Sequence, residues 1–217
     1  MRADFLVRAE SVMRALGPRG ALHLRSSRLS GRRFHELAER LSEFQEVTGC
    51  WLIVNDRVDV AASTGARGIQ LASHSLRVPE ARIVAPSIPV GTSIHSLDEA
   101  REAEAEGALW CVAGTVFETP SHEGRRPARI AFIERVAAAV RIPVIAIGGV
   151  TPGDVGALIA AGAHGVATIR GAAWEGTEAM HEPNAVTRYI SAYDAHDGRG
   201  RNDHSDGERS AARGGPE

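Results

Sequence analysis

The sequence predicts a single α/β domain built as a TIM (β/α)8 barrel. Three features lead there. Short apolar strand-like runs alternate with helical stretches along most of the chain. The runs are rich in Val, Ile, Leu and Ala rather than alternating apolar with polar, as strands covered on both faces do. A Gly-Ala-x corner also precedes a strand three times, in "TGARGIQL" (64–71), "EGALWCVAG" (106–114) and "AGAHGVATI" (161–169). Glycine there suits a left-handed helix cap, and alanine lets the returning chain lie close to the sheet.

The elements follow in order. Phe5, Leu6, Ala9, Val12, Met13 and Leu16 recur at three- and four-residue steps until Gly17-Pro18 stops them, which predicts a helix. "ALHLR" (21–25) is the first strand, followed by helical spacing through Phe34, Leu37, Ala38, Leu41 and Phe44, then the strand "WLIV" (51–54) running into "NDR". Further strands are expected near 68–71, 88–92, 109–113, 143–147 and 165–169, with helices in "SLDEAREAEAEG" and "RIAFIERVAAAV". Seven strands are countable, one short of a full barrel. Either the barrel lacks its first strand or the chain starts downstream of it. Beyond Asp194 the composition turns to Gly, Asp and Arg with no apolar anchor but alanine, so the expected organisation is a barrel over 1–194 and a disordered tail over 195–217.

At 217 residues and 43% hydrophobic content, the chain is long enough for one sizeable core. The net charge of −2 gives no reason to expect a nucleic-acid partner, and no apolar run is long enough for a membrane span. A cytoplasmic protein is expected; homo-oligomerisation is left open. All basic side chains are arginine. Cys50 and Cys111 lie beside apolar strand residues, far apart in sequence, which suits buried thiols better than a disulfide.

The candidate chemistry lies at the ends of strands. "IPVIAIGGVTPGD" (142–154) breaks on Gly148 and Gly149 just before a helix near Pro152. In a parallel barrel this is where a phosphate is held, because residues without Cβ let main-chain N–H groups approach an anion and the helix start adds positive potential. Arg170-Gly171 would leave the last strand on the same side. The alternative is that the glycines only make a tight turn. Arg25, Asn55, Asp56, Ser73 to Ser75, Ser93, His95 and the run Thr115 to His122 follow the other strands onto the same rim. Asp56 is either a metal ligand or a cap for the helix that follows. His74, His95 and His122 would project from three successive strand ends, an arrangement that could hold zinc.

"VNDRVDVA", "GIQLASHSL", "VGTSIHSLDEA", "GTVFETPSHEG", "IPVIAIGGVTP" and "GVATIRG" occur in an order and spacing that resembles the thiamine phosphate synthase family and its relative, the thiazole tautomerase TenI, over roughly residues 5–175. The resemblance implies a TIM barrel in thiamine biosynthesis that binds a phosphorylated thiazole, with the synthase joining it to a pyrimidine diphosphate. It implies that Gly149, Ile169 and Arg170 hold the thiazole phosphate through main-chain groups, and that Thr119 and Ser121 contact the thiazole. Asn55 and Ser93 match pyrimidine-contacting positions, and Asp56 matches one Mg²⁺ ligand.

Some positions depart from the pattern. The second magnesium aspartate is Ser75. The Gln-x-x-x-Lys element that grips diphosphate reads His23 to Ser27 with only Arg25 basic, and the lysine after Thr-x-Thr is His122. The tautomerase's catalytic histidine is Thr115, so a proton carrier would be His122 or His74, with Glu118 assisting. The expected catalytic residues are accordingly His122, Arg25 and Glu118. Transfer, tautomerisation and binding without turnover all stay open at this stage.

Overall fold

The computed structural model describes residues 5–118, 128–169 and 184–196. Seven strands form one sheet: β1 (Ala21–Leu24), β2 (Trp51–Asn55), β3 (Gly68–Leu71), β4 (Val90–Ile94), β5 (Trp110–Gly114), β6 (Val144–Ile147) and β7 (Gly165–Ala167). They pair in chain order, every neighbour parallel, and β1 and β7 are the edges. Eight helices are described: α1 (Phe5–Leu16), α2 (Gly31–Thr48), α3 (Val58–Thr64), α4 (Val78–Val84), α5 (Leu97–Ala105), α6 (Ile130–Ala139), α7 (Val155–Ala160) and α8 (Asn184–Asp194). None is long and apolar enough to cross a membrane. The seven-strand parallel α/β barrel architecture is the one the sequence predicts. The strands expected at 88–92 and 165–169 are shifted or shortened to Val90–Ile94 and Gly165–Ala167, so Thr168 and Ile169 lie past the last strand. The expected tail falls on residues of which 197–217 lie outside those described.

Strand periodicity divides the sheet into two faces. Leu24, Leu52, Val54, Ile69, Leu71, Val90, Ile94, Cys111, Ala113, Val144 and Ala146 are all buried and form one core with Phe34, Leu37, Leu41, Ile133 and Leu158 of the helices. On the other face lie Ile53, Asn55, Ser93, Trp110, Val112, Ile145 and Ile147, half-buried. Hydrophobic burial thus anchors the helix side, while the inner side stays partly open.

The three Gly-Ala corners behave as their sequence requires. Gly65, Gly107 and Gly162 have φ of 72°, 86° and 91°, in the left-handed region. Ala66, Ala108 and Ala163 behind them are buried. Both thiols are buried and unbridged, and desolvation pushes Cys50 up to about 11 and Cys111 to about 12. Neither is a nucleophile at neutral pH.

One polar group is indispensable to the core. Gln45 of α2 is fully buried; its Oε1 accepts hydrogen bonds from the amides of Leu52 (2.8 Å) and Arg67 (3.1 Å), and its Nε2 donates to the Gly65 carbonyl (3.0 Å). It joins a helix, a strand start and a corner. Gln45→Leu strands the Leu52 amide and the Gly65 carbonyl, each costing about 1–3 kcal/mol, while the Arg67 amide keeps the Leu52 carbonyl; the variant is expected to destabilise the protein by about 3 kcal/mol, read as a lower midpoint in denaturant titration. Gln45→Glu keeps both amide contacts but turns an oxygen onto the Gly65 carbonyl and Glu46 in a buried site, so it should also destabilise the protein, more so as pH rises and the carboxyl ionises.

Candidate functional site

Because all seven strands run one way, their C-terminal ends share one rim. Arg25 follows β1, Asn55 ends β2 with Asp56 next, Ser73 to Ser75 follow β3, Ser93 is near the end of β4, Thr115 to Glu118 follow β5, Gly148 and Gly149 follow β6, and Ile169 follows β7. Thr119, Ser121, His122, Arg170 and Gly171 lie outside the described residues.

Asp56 is held in an unusual backbone state for a non-glycine, φ 57°. Its amide donates to the Gln70 carbonyl (3.0 Å), and its Oδ1 accepts from the Ala72 amide (2.8 Å). The side chain therefore reaches across to the end of β3. It does not cap the next helix, since α3 begins after Arg57 without a side-chain cap; the capping alternative is corrected. Asn55 donates from Nδ2 to Asp56 Oδ2 (2.6 Å). A carboxylate only accepts, so the amide orientation is fixed and Asn55 Oδ1 must face His23 Nε2, 3.1 Å away. His23, Asn55 and Asp56 make a chain from β1 to β3.

His23 opens onto the inner face at its edge, yet protein crowds its ring. Desolvation is the main cause that lowers its pKa from the ordinary 6.5; the Asn55 hydrogen bond opposes this, the Arg25 charge adds to it, and Asp56 opposes it again. It is the neutral imidazole that donates from Nε2 to Asn55. Arg25 itself is exposed and makes no ion pair with a described residue. The rim histidine His95 is engaged elsewhere, its Nδ1 2.6 Å from the Gly114 carbonyl, and no cluster of three metal-ligating side chains occurs among the described residues.

At the glycine pair, φ is 102° for Gly148 and 67° for Gly149. A Cβ on Gly148 would lie 2.5 Å from Thr115 Cγ2, and one on Gly149 would lie 2.6 Å from the Glu118 carbonyl oxygen. The loop after β5 is locked against this turn, with the Phe117 amide donating to the Gly148 carbonyl (2.9 Å). Gly149 is exposed, and no described residue accepts a hydrogen bond from the Gly148 or Gly149 amide. Tight turn and available amides therefore coexist. The expected helix start at Pro152 needs correction. A 3-10 turn, Pro152–Asp154, leads into the six-residue α7, and Asp154 Oδ2 already accepts from the Thr151 amide (2.8 Å) and hydroxyl (2.6 Å). Asp154's own negative charge offsets the dipole there.

The model of the thiamine monophosphate synthase family matches residues 3–172. The chain belongs to that family. The thiamine-phosphate synthase of Methanoculleus marisnigri is 40% identical over 164 residues, 75% of this chain and 78% of that protein. That of Chlorobium luteolum is 42% identical over 163 residues, 74% and 77% of the two chains. The solved thiamine phosphate pyrophosphorylase from Pyrococcus furiosus superposes with a TM-score of 0.77 at 30% identity, covering 88% of this chain and 91% of that one. Family membership places the chain in thiamine biosynthesis and establishes the barrel architecture.

Sequence reasoning singled out Asn55, Asp56, Ser93 and the glycine pair, and the fold brings them to one rim. It registered His23 only as a replaced position and Trp110 not at all. The available signal was parity: His23, Ile53, Gly68, Gln70, Gly91 and Trp110 fall on one face once the parallel register is set.

The sign of the His23 effect follows from linkage. With the folded-state pKa depressed, the unfolded chain binds the proton more readily below about 6.5, so this contribution to stability is full above that pH and is lost as pH falls. Thermal midpoints measured from pH 7.5 to 5 should fall for the native protein, and the fall should be shallower in His23→Gln.

Proposed function

We propose that the chain is a thiamine-phosphate synthase: it binds a phosphorylated thiazole at Gly148 and Gly149 and joins it to a pyrimidine diphosphate. The observation that carries the reading is the pair of glycine amides that no described residue engages, on the same rim as the His23, Asn55 and Asp56 chain. A small dianion and a polar ring thereby have separate places. The names of the 40–42% identical relatives support the transferase over the tautomerase, as does Thr115, which supplies no proton carrier where the tautomerase uses histidine.

In this reading the Gly148 and Gly149 amides hold the phosphate by charge-assisted hydrogen bonds, which are shorter and stronger than neutral ones. Ile169 and Arg170 would extend that grip through main-chain groups, with Gly171 beside them, and Thr119 and Ser121 would contact the thiazole ring. Asn55 keeps one amide hydrogen for the pyrimidine, because the other is committed to Asp56. Arg25, exposed at the end of β1, meets the diphosphate. His122 and Glu118 are retained as candidate proton carriers for the departing group.

Mg²⁺ fits the residues present. Each Asp56 oxygen accepts one hydrogen bond and keeps a further lone pair, and Mg²⁺ is commonly held by one or two carboxylates with substrate phosphates completing its shell. Asp56, with Ser75 from the segment that follows the neighbouring strand β3, would hold it; the ion would supply neutralisation of diphosphate charge.

Incubation with thiazole phosphate and the pyrimidine diphosphate is expected to yield thiamine phosphate, with turnover lost on chelation of Mg²⁺. Binding of thiazole phosphate without product would overturn the transferase reading and leave a binder. Gly149→Ala introduces a Cβ against the Glu118 carbonyl at positive φ. It should weaken thiazole phosphate binding at least about tenfold, measured by titration calorimetry on protein shown to be folded. Undiminished affinity would remove the phosphate from this turn.

A further inference from the structure

Behind Ser93 lies a buried hydrogen-bond chain whose direction is forced. The Trp110 indole nitrogen donates to Gln70 Oε1 at 2.7 Å, and Gln70 Nε2 reaches Ser93 Oγ at 3.1 Å and the Leu71 carbonyl at 3.4 Å. An indole N–H only donates, so the carbonyl end of the Gln70 amide must face Trp110 and its NH₂ end must face Ser93. The Ser93 oxygen is therefore an acceptor toward Gln70. Its own hydrogen is left to point away from the chain.

Packing makes the arrangement rigid. Gln70 is 1% exposed. The indole lies over Gly91, where a Cβ would come within 2.1 Å of its ring, and against Gly68, where a Cβ would meet Trp110 Cη2 at 3.1 Å and Ile53 Cγ1 at 3.2 Å. Two strands have given up their side chains where this ring sits. The order Trp110, Gln70, Ser93 climbs from the first residue of β5 through β3 to the rim end of β4.

We infer that Trp110 and Gln70 are positioning residues that fix Ser93 as a hydrogen-bond donor, so that this part of the rim selects a ligand ring presenting an acceptor atom, such as a pyrimidine nitrogen. The inference rests on the proposed function for the identity of the ligand; the direction of the chain does not. Trp110 does not touch the ligand: it acts through Gln70 on Ser93.

The test is a double-mutant cycle with two probes, thiamine phosphate and thiazole phosphate, titrated into Trp110→Phe, Ser93→Ala and the double variant. Phenylalanine keeps a ring over Gly91 and removes the N–H. Each single variant should bind thiamine phosphate several-fold to about tenfold more weakly, with thiazole phosphate affinity unchanged. The double variant should be no weaker than Ser93→Ala, because once the hydroxyl is gone its orientation has no consequence. Multiplied losses in the double variant would overturn the inference and make Trp110 a packing residue alone. Gln70→Glu provides an independent arm if Trp110→Phe does not fold: a carboxylate accepts from both neighbours, turns the Ser93 hydrogen inward, and should weaken thiamine phosphate as Ser93→Ala does. Full affinity in a folded Gln70→Glu protein would also overturn it. Failure of the native protein to bind thiazole phosphate is a different result, one that sinks the proposed function itself.

Discussion

One-directional strand pairing is the constraint on which the rest depends. A parallel ladder obliges the chain to return outside the sheet after every strand, so each strand is followed by a covering segment and every C-terminal end emerges on the same side. The return is made sharp by the left-handed glycines at 65, 107 and 162 and close by the buried alanines behind them. Residues as far apart in sequence as His23, Asn55, Ser93 and Gly149 become neighbours on a rim without any local signal linking them.

The two faces of the sheet do different work. The helix side is a continuous apolar core, with Gln45 as its one buried polar hub among the described residues. The inner side carries the polar chains: His23 to Asn55 to Asp56 along one arc, and Trp110 to Gln70 to Ser93 along another. In each, a group with only one hydrogen-bonding role settles the orientation of an amide. A carboxylate settles Asn55; an indole settles Gln70. Directionality reaches the rim from groups that cannot reverse.

Most of the architecture could be read from the sequence because its causes are local. The Phe5–Leu16 periodicity, the Gly-Ala corners and the apolar strand runs each state their own structure, and the strand count of seven follows. The strand shifts at 90–94 and 165–167 reflect ends set by ladder register rather than composition. At the site, Asn55, Asp56 and the glycine pair were legible as types that suit a rim. What Asp56 does was not: its reach to the Ala72 amide depends on β2 and β3 lying side by side. Pro152 shows the converse. It is a good helix opener, yet tertiary context allows only a 3-10 turn and six helical residues, and Asp154 claims the start.

The sheet has two borders, and the helices meet where it does not. Helices α1 and α8 pack together, Arg19 pairs with Asp194 at 2.7 Å, and the Tyr193 hydroxyl donates to the His164 carbonyl at 3.0 Å, all beside the starts of β1 and β7. These contacts lie next to rows of main-chain groups that neither border strand shares with a described strand neighbour. Such rows template growth between molecules when they lie bare. Packing of α1 against α8 is the larger contribution beside those borders, because an ion pair as exposed as Arg19–Asp194 adds only about 0–1 kcal/mol.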